Sequence, residues 1–227
     1  MPDKTPTFEG LCEALQLRDP VGFLRDLQRI LIRVYRGNVD RHDEDFGDDA
    51  ITFGALIYRN SWAQLERYLP RYHADVRVDR PDRSLTIHTG GPELKVYKGG
   101  SGPTFEIEKY DPDTGSITKR RTVEKNENQL RLFLESDYMA GTVDAGLAAP
   151  VWFVVHYGNP QEGFVGMGIG APRQSSVEDP QWLFTFHLPD LQGETGIVSV
   201  AGSPNTPSYD QVPEPAIRVD PISKDAE

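Results

Sequence analysis

The chain has a single cysteine, Cys12, in 227 residues. One thiol closes no internal disulfide and builds no cysteine-based zinc site. Positive charge is also scarce: 24 Lys and Arg stand against 35 Asp and Glu, a formal net charge of −11. A surface of that sign repels nucleic-acid phosphates and anionic membranes unless positive charge is gathered in one place. The expected partner is therefore another protein rather than nucleic acid or membrane. No apolar run approaches the roughly 20 residues that cross a bilayer. The opening Met1-Pro2-Asp3-Lys4-Thr5-Pro6 has no apolar signal segment, so a cytoplasmic location is expected. Also missing are a Gly-x-Ser-x-Gly elbow, a P-loop, and a Gly-x-Gly-x-x-Gly turn opening a helix after a strand.

What the chain does contain is enough apolar and aromatic residue to fold. Aromatics make up 10% of it, more than disordered chains carry, and the length suits one domain with an appendage. Residues 7–17 read as a short helix with Phe8, Leu11, Leu15 and Leu17. Asp19-Pro20 then supplies an N-cap and a first-turn proline. Val21, Leu24, Leu27, Leu31 and Val34 follow at helical spacing, with Gly37-Asn38 as the stop. After a charged loop, Asp40 to Asp49, the residues Ile51, Ala55, Tyr58, Trp62, Leu65 and Leu69 make one apolar helical stripe, closed by Pro70.

The period then changes to two. Val76 and Val78, Leu85 and Ile87, Leu94 and Val96, Phe105 and Ile107 alternate between glycine- and proline-rich turns, which predicts an antiparallel meander. Residues 126–138 fit a helix or a strand, with helix preferred. Val151 to Tyr157, Phe164 to Gly170 and Trp182 to Leu188 read as strands. Gly166, Gly168 and Gly170 suit a strand packed closely against another element. The expectation is an α+β fold, N-terminal helices packed on a mainly antiparallel sheet. Residues 1–200 would form a single domain, and 201–227, rich in Pro, Ser and Asp, a flexible acidic tail.

Four features are candidates for chemistry. Arg25, Arg29, Arg33 and Arg36 recur at three- and four-residue spacing on one helix face. Guanidinium forks grip carboxylates and phosphates bidentately, so this stripe reads as a partner-docking face. The other reading is that the arginines pair with the chain's own acidic loop or form a solvated face. That loop, His42 to Asp49, holds oxygen donors suited to hard cations. It lacks the EF-hand spacing, having neither Gly at the sixth position from Asp43 nor Glu at the twelfth, and no metal site is assigned to it.

Pro81-Asp82 followed by Glu93-Leu94-Lys95 resembles the PD-(D/E)xK signature of metal-dependent nucleases. The resemblance implies that Asp82 and Glu93 would hold Mg²⁺ and that Lys95 would position or activate water. Pro-Asp recurs at 2–3, 112–113 and 189–190. A hairpin in this region also sets Asp82 and Glu93 at opposite ends of a strand rising about 3.3 Å per residue. Finally, His88, His156 and His187 would converge only if their strands were neighbours. The functional expectation is a non-enzymatic interaction or regulatory protein without a cofactor. The alternative is a Mg²⁺-dependent nuclease or phosphodiesterase of the PD-(D/E)xK type.

Overall fold

The computed structural model describes residues 6–81, 84–100, 106–112, 116–134, 146–174 and 182–191. The chain divides into two units, Met1–Glu194 and Thr195–Glu227. The described residues all belong to the first, and the expected tail lies outside them.

Three helices come first: α1 (Phe8–Ala14), α2 (Pro20–Val39) and α3 (Ala50–Tyr72). Each starts on a side chain that accepts an otherwise unpaired backbone N–H. Thr7 caps the Gly10 N–H at 3.1 Å, Asp19 the Gly22 N–H at 2.9 Å, and Asp49 the Thr52 N–H at 2.7 Å. Proline at the first position of α2 loses nothing there. Helix α2 runs to Val39, past the expected stop, because Asn38 is buried and useful. Its Nδ2 donates to Val34 O at 2.6 Å, and its Oδ1 accepts from Asn60 of α3 at 2.9 Å.

Helix α3 likewise continues through Pro70 to Tyr72, and the His73 N–H still reaches Leu69 O at 3.0 Å. Its buried row is Phe53, Ile57, Ser61, Leu65 and Leu69, not the stripe read from the sequence. Positions four apart drift about 40° per step around a helix. The buried row therefore winds into the expected stripe only at Leu65 and Leu69. Ile51, Ala55 and Tyr58 are left exposed, Ile51 at 80%.

Among the described residues six strands, β1 (Arg77–Asp79), β2 (Thr86–His88), β3 (Glu93–Lys98), β4 (Val151–Asn159), β5 (Gly163–Pro172) and β6 (Trp182–His187), are paired in that order. All pairs are antiparallel except β3 with β4. That parallel pair requires a crossover, and the crossover contains α4 (Ile117–Leu134). The helix begins well before the expected residue 126. Ile107, expected in a strand, lies in a short 3-10 turn, Ile107–Lys109. Phe105 is outside the described residues.

Helices α1 to α3 pack on one face of the sheet. Leu24, Leu27, Leu31 and Leu65 close on Leu94, Val96, Trp152, Val154 and Ile169. Each fully enclosed leucine contributes roughly 1.5–3 kcal/mol. On the opposite face, Phe153, Val155 and Tyr157 are covered by Ile107, Tyr110 and Trp182. Strand β4 is thus buried on both sides along all nine residues. The alternating glycines of β5 lie on this second face, where a Cβ at Gly170 would come within 2.7 Å of the Trp182 ring.

Asn126 ties α4 down. Its Nδ2 donates to Val151 O at 2.9 Å and to Pro172 O at 2.8 Å, and its Oδ1 accepts from the Val151 N–H at 3.2 Å.

Candidate functional site

The arginine stripe starts from the amphipathic pattern of α2. Its leucines face the sheet, so the intervening positions face outward. Among the four arginines, Arg29, Arg33 and Arg36 are exposed and Arg25 is half-buried. They are not equivalent. Arg29 Nη2 lies 2.5 Å from Asp26 Oδ1, and its guanidinium sits 5.8 Å from the Tyr72 ring centre. Arg25 is also engaged. Arg33 and Arg36 have no carboxylate within 4.0 Å among the described residues, although Asp40 at the start of the acidic loop lines the same groove as Arg36.

The stripe also divides in space. Arg29 and Arg33 lean toward Tyr68 and Tyr72 of α3. Arg36 leans the other way, into a groove of about 420 Å³ between α2 and the β4–β5 hairpin. Ile32, Val39, Phe164 and Leu188 give this groove apolar walls, while Asp40, Glu162 and Asp190 also line it. Pockets of this size take small ligands or short peptide segments.

The Phe164 ring on the groove wall packs on Tyr35, with ring centres 5.7 Å apart. Behind it, Tyr35 Oη and His156 Nδ1 form a buried hydrogen bond of 2.9 Å. Close approach of the hairpin requires glycine here: a Cβ at Gly158 would fall 2.2 Å from both the Tyr35 ring and Gly163 O. Register places Lys98 of β3 beside His156 of β4. Burial, assisted by the Lys98 charge, pushes the His156 imidazole down to about 3. Burial alone holds the Lys98 ammonium below the usual lysine range and the Tyr35 hydroxyl above the usual tyrosine range. The histidine is therefore neutral at ordinary pH and supports the groove wall from within.

The nuclease-like residues sit elsewhere. Glu93 and Lys95 are alternate residues of β3 on the face opposite α1 to α3, and both are half-buried. Glu93 Oε2 is 3.2 Å from Lys125 Nζ, and Oε1 is 4.0 Å from His88 Nδ1. Lys95 has a partner as well. Residue 93 pairs with residue 88 across the β2–β3 hairpin, and Asp82 lies outside the described residues. Among the described residues, no three His, Cys, Asp or Glu side chains are grouped as metal ligands.

Nor do the strand histidines meet. His88, His156 and His187 stand on β2, β4 and β6, each separated by a strand. His88 is 2.9 Å from Asp79, and His187 is 2.9 Å from Glu108. In the acidic loop, Asp43 accepts the Asp45 N–H at 3.0 Å, Asp48 accepts the Asp43 N–H at 3.1 Å, and Gly47 takes a left-handed φ of 91°. Cys12 is buried in α1, and burial raises its thiol, which disfavours a nucleophilic thiolate.

One residue at the site went unread in the sequence. Gln28 is only 2% exposed. Its Nε2 donates to Pro189 O at 3.0 Å, and its Oε1 accepts the Leu191 N–H at 2.9 Å. The signal was a glutamine at the buried spacing of Leu24 and Leu31. A polar side chain there needs backbone partners. No family model, curated protein or solved structure matches the chain.

Proposed function

We propose that this chain is a non-enzymatic interaction protein that docks acidic side chains of a partner protein on the exposed face of α2, through Arg33 and Arg36. One observation carries the reading. These two exposed guanidiniums have no carboxylate within 4.0 Å among the described residues, although the chain holds 35 Asp and Glu. A single exposed ion pair contributes roughly 0–1 kcal/mol. Two guanidinium forks on one exposed helix face add bidentate geometry to that. Arg29 and Arg25 support the face rather than grip the partner, since both are already engaged.

The test is affinity capture of the full chain from its own cells, comparing wild type with Arg33→Glu/Arg36→Glu. The double variant should fold with an unchanged circular dichroism spectrum and lose the captured protein. Capture of the same protein by a folded double variant would reject the reading.

A further inference from the structure

Helices α2 and α3 form an antiparallel pair: Asn38 meets Asn60 toward one end, and Arg29 meets Tyr72 toward the other. A small cleft along their seam is lined by Arg29, Ile30, Arg33, Gln64, Tyr68 and Tyr72. No carboxylate lines it, whereas three line the groove that holds Arg36.

Helix α3 adds two guanidiniums at this seam. Arg67 and Arg71 are exposed, and their guanidinium carbons lie 5.5 and 5.8 Å from the centre of the Tyr68 ring. Neither has a carboxylate within 4.0 Å among the described residues. Stacking on a ring uses the flat face of a guanidinium and leaves its in-plane N–H donors available. The acidic residues beside these arginines in sequence are already held: Asp26 by Arg29 and His73, and Glu66 by Arg80. Arg29 and Arg33 on α2, and Arg67 and Arg71 on α3, each stand four residues apart, a rise of about 6 Å along the helix. On a chain of net charge −11 the seam is thus a local excess of positive charge.

From this arrangement we infer that the α2–α3 seam takes a carboxylate-rich segment of the partner protein, gripped by Arg33 from α2 and by Arg67 and Arg71 from α3. Two carboxylates about 6 Å apart on the segment would meet Arg67 and Arg71, and a third would meet Arg33. Tyr72, 53% exposed, offers its ring to an apolar side chain among them. Arg29 stays with Asp26 and stacks on Tyr72, which fixes that ring at the end of the seam. Clusters of arginine recognise acidic motifs in this way. The inference rests on the proposed acidic partner and adds the second helix of its docking surface.

The experiment measures binding of hexaglutamate with blocked ends to the full chain by isothermal titration calorimetry, at an ionic strength of about 0.1 M. Three folded variants are compared with wild type: Arg67→Gln/Arg71→Gln at the seam, Arg33→Glu/Arg36→Glu on α2, and Arg77→Gln/Lys109→Gln. The last removes two exposed positive charges away from both helices and so measures the effect of net charge alone. A single-stranded oligothymidylate of the same length is the second probe.

The seam variant should bind hexaglutamate about tenfold more weakly than wild type, and the charge control within about twofold of it. The oligothymidylate should bind more weakly than the peptide. If the α2 variant loses binding while the seam variant keeps it, the inference is overturned and the α2 docking face survives. If both keep it, both readings fall. An equal loss in the charge control, or no binding of hexaglutamate at about 1 mM, overturns the inference. Tighter binding of the oligothymidylate would assign the seam to nucleic acid and overturn it as well.

Discussion

At the scale of single residues, the most consequential buried group is His156. Its imidazole is neutral in the folded chain, pushed down to about 3 by burial and by the Lys98 charge, whereas an unfolded histidine titrates near 6.5. Between those values the unfolded chain binds a proton that the folded chain does not. Stability from this site is therefore fully present above about pH 6.5. It falls by about 1.4 kcal/mol per pH unit as acid is added, until the folded group titrates near pH 3. The groups facing it are Tyr35 on α2 and Lys98 on β3. Urea unfolding of wild type and His156→Gln between pH 7 and pH 4 should show the steeper decline in wild type. Equal slopes would place the acid sensitivity elsewhere. Carboxylates act in the same direction: Glu108 is held below its usual range, since hydrogen bonds from its own backbone, Thr185 and His187 outweigh the opposing effect of burial.

At the scale of elements, one side chain joins α4 to the sheet. Asn126 makes three hydrogen bonds to the backbone at the start of β4 and the end of β5. Asn126→Ala would leave buried backbone groups unpaired at roughly 1–3 kcal/mol each. We expect a total loss of about 3 kcal/mol in urea unfolding; a loss below about 1 kcal/mol would mean that water or a shift of α4 restores the bonds. This contact was not legible in the sequence, because an asparagine within a polar helix gives no periodic signal. The capped starts of α2 and α3 were legible, since Asp19, Pro20 and Asp49 act within one turn. The strands around Ile87, Leu94 and Val154 were legible from the period of two and the apolar runs. The parallel β3–β4 pair was not, because it depends on where α4 crosses. The stripe on α3 misled because a straight stripe was assumed where the buried row winds about 40° per four residues. The arginine face was legible as a spacing, and Asp26, three residues before Arg29 on the same helix, lay within reach of the sequence, but the rest of its division into engaged and available members depends on Tyr72 and the hairpin, which only the fold brings near.

At the scale of the whole molecule, a chain of net charge −11 presents a small basic area on one helix, Arg33 and Arg36, with Arg36 beside a groove of mixed apolar and acidic lining. Long-range repulsion from the acidic surface disfavours an acidic partner at a distance, so docking depends on close contact at Arg33 and Arg36. Added salt acts on both effects. Screening shortens from about 10 Å at 0.1 M to about 3 Å at 1 M, removing the repulsion and weakening the exposed contacts together. The variant, not the salt series, therefore separates the contributions. The most direct measurement is the dissociation constant of an acidic peptide for the full chain, wild type against Arg33→Glu/Arg36→Glu, at one fixed ionic strength near 0.1 M. Docking on the α2 face predicts binding to wild type and a loss of tenfold or more in the folded variant. Equal affinity for both proteins would contradict it.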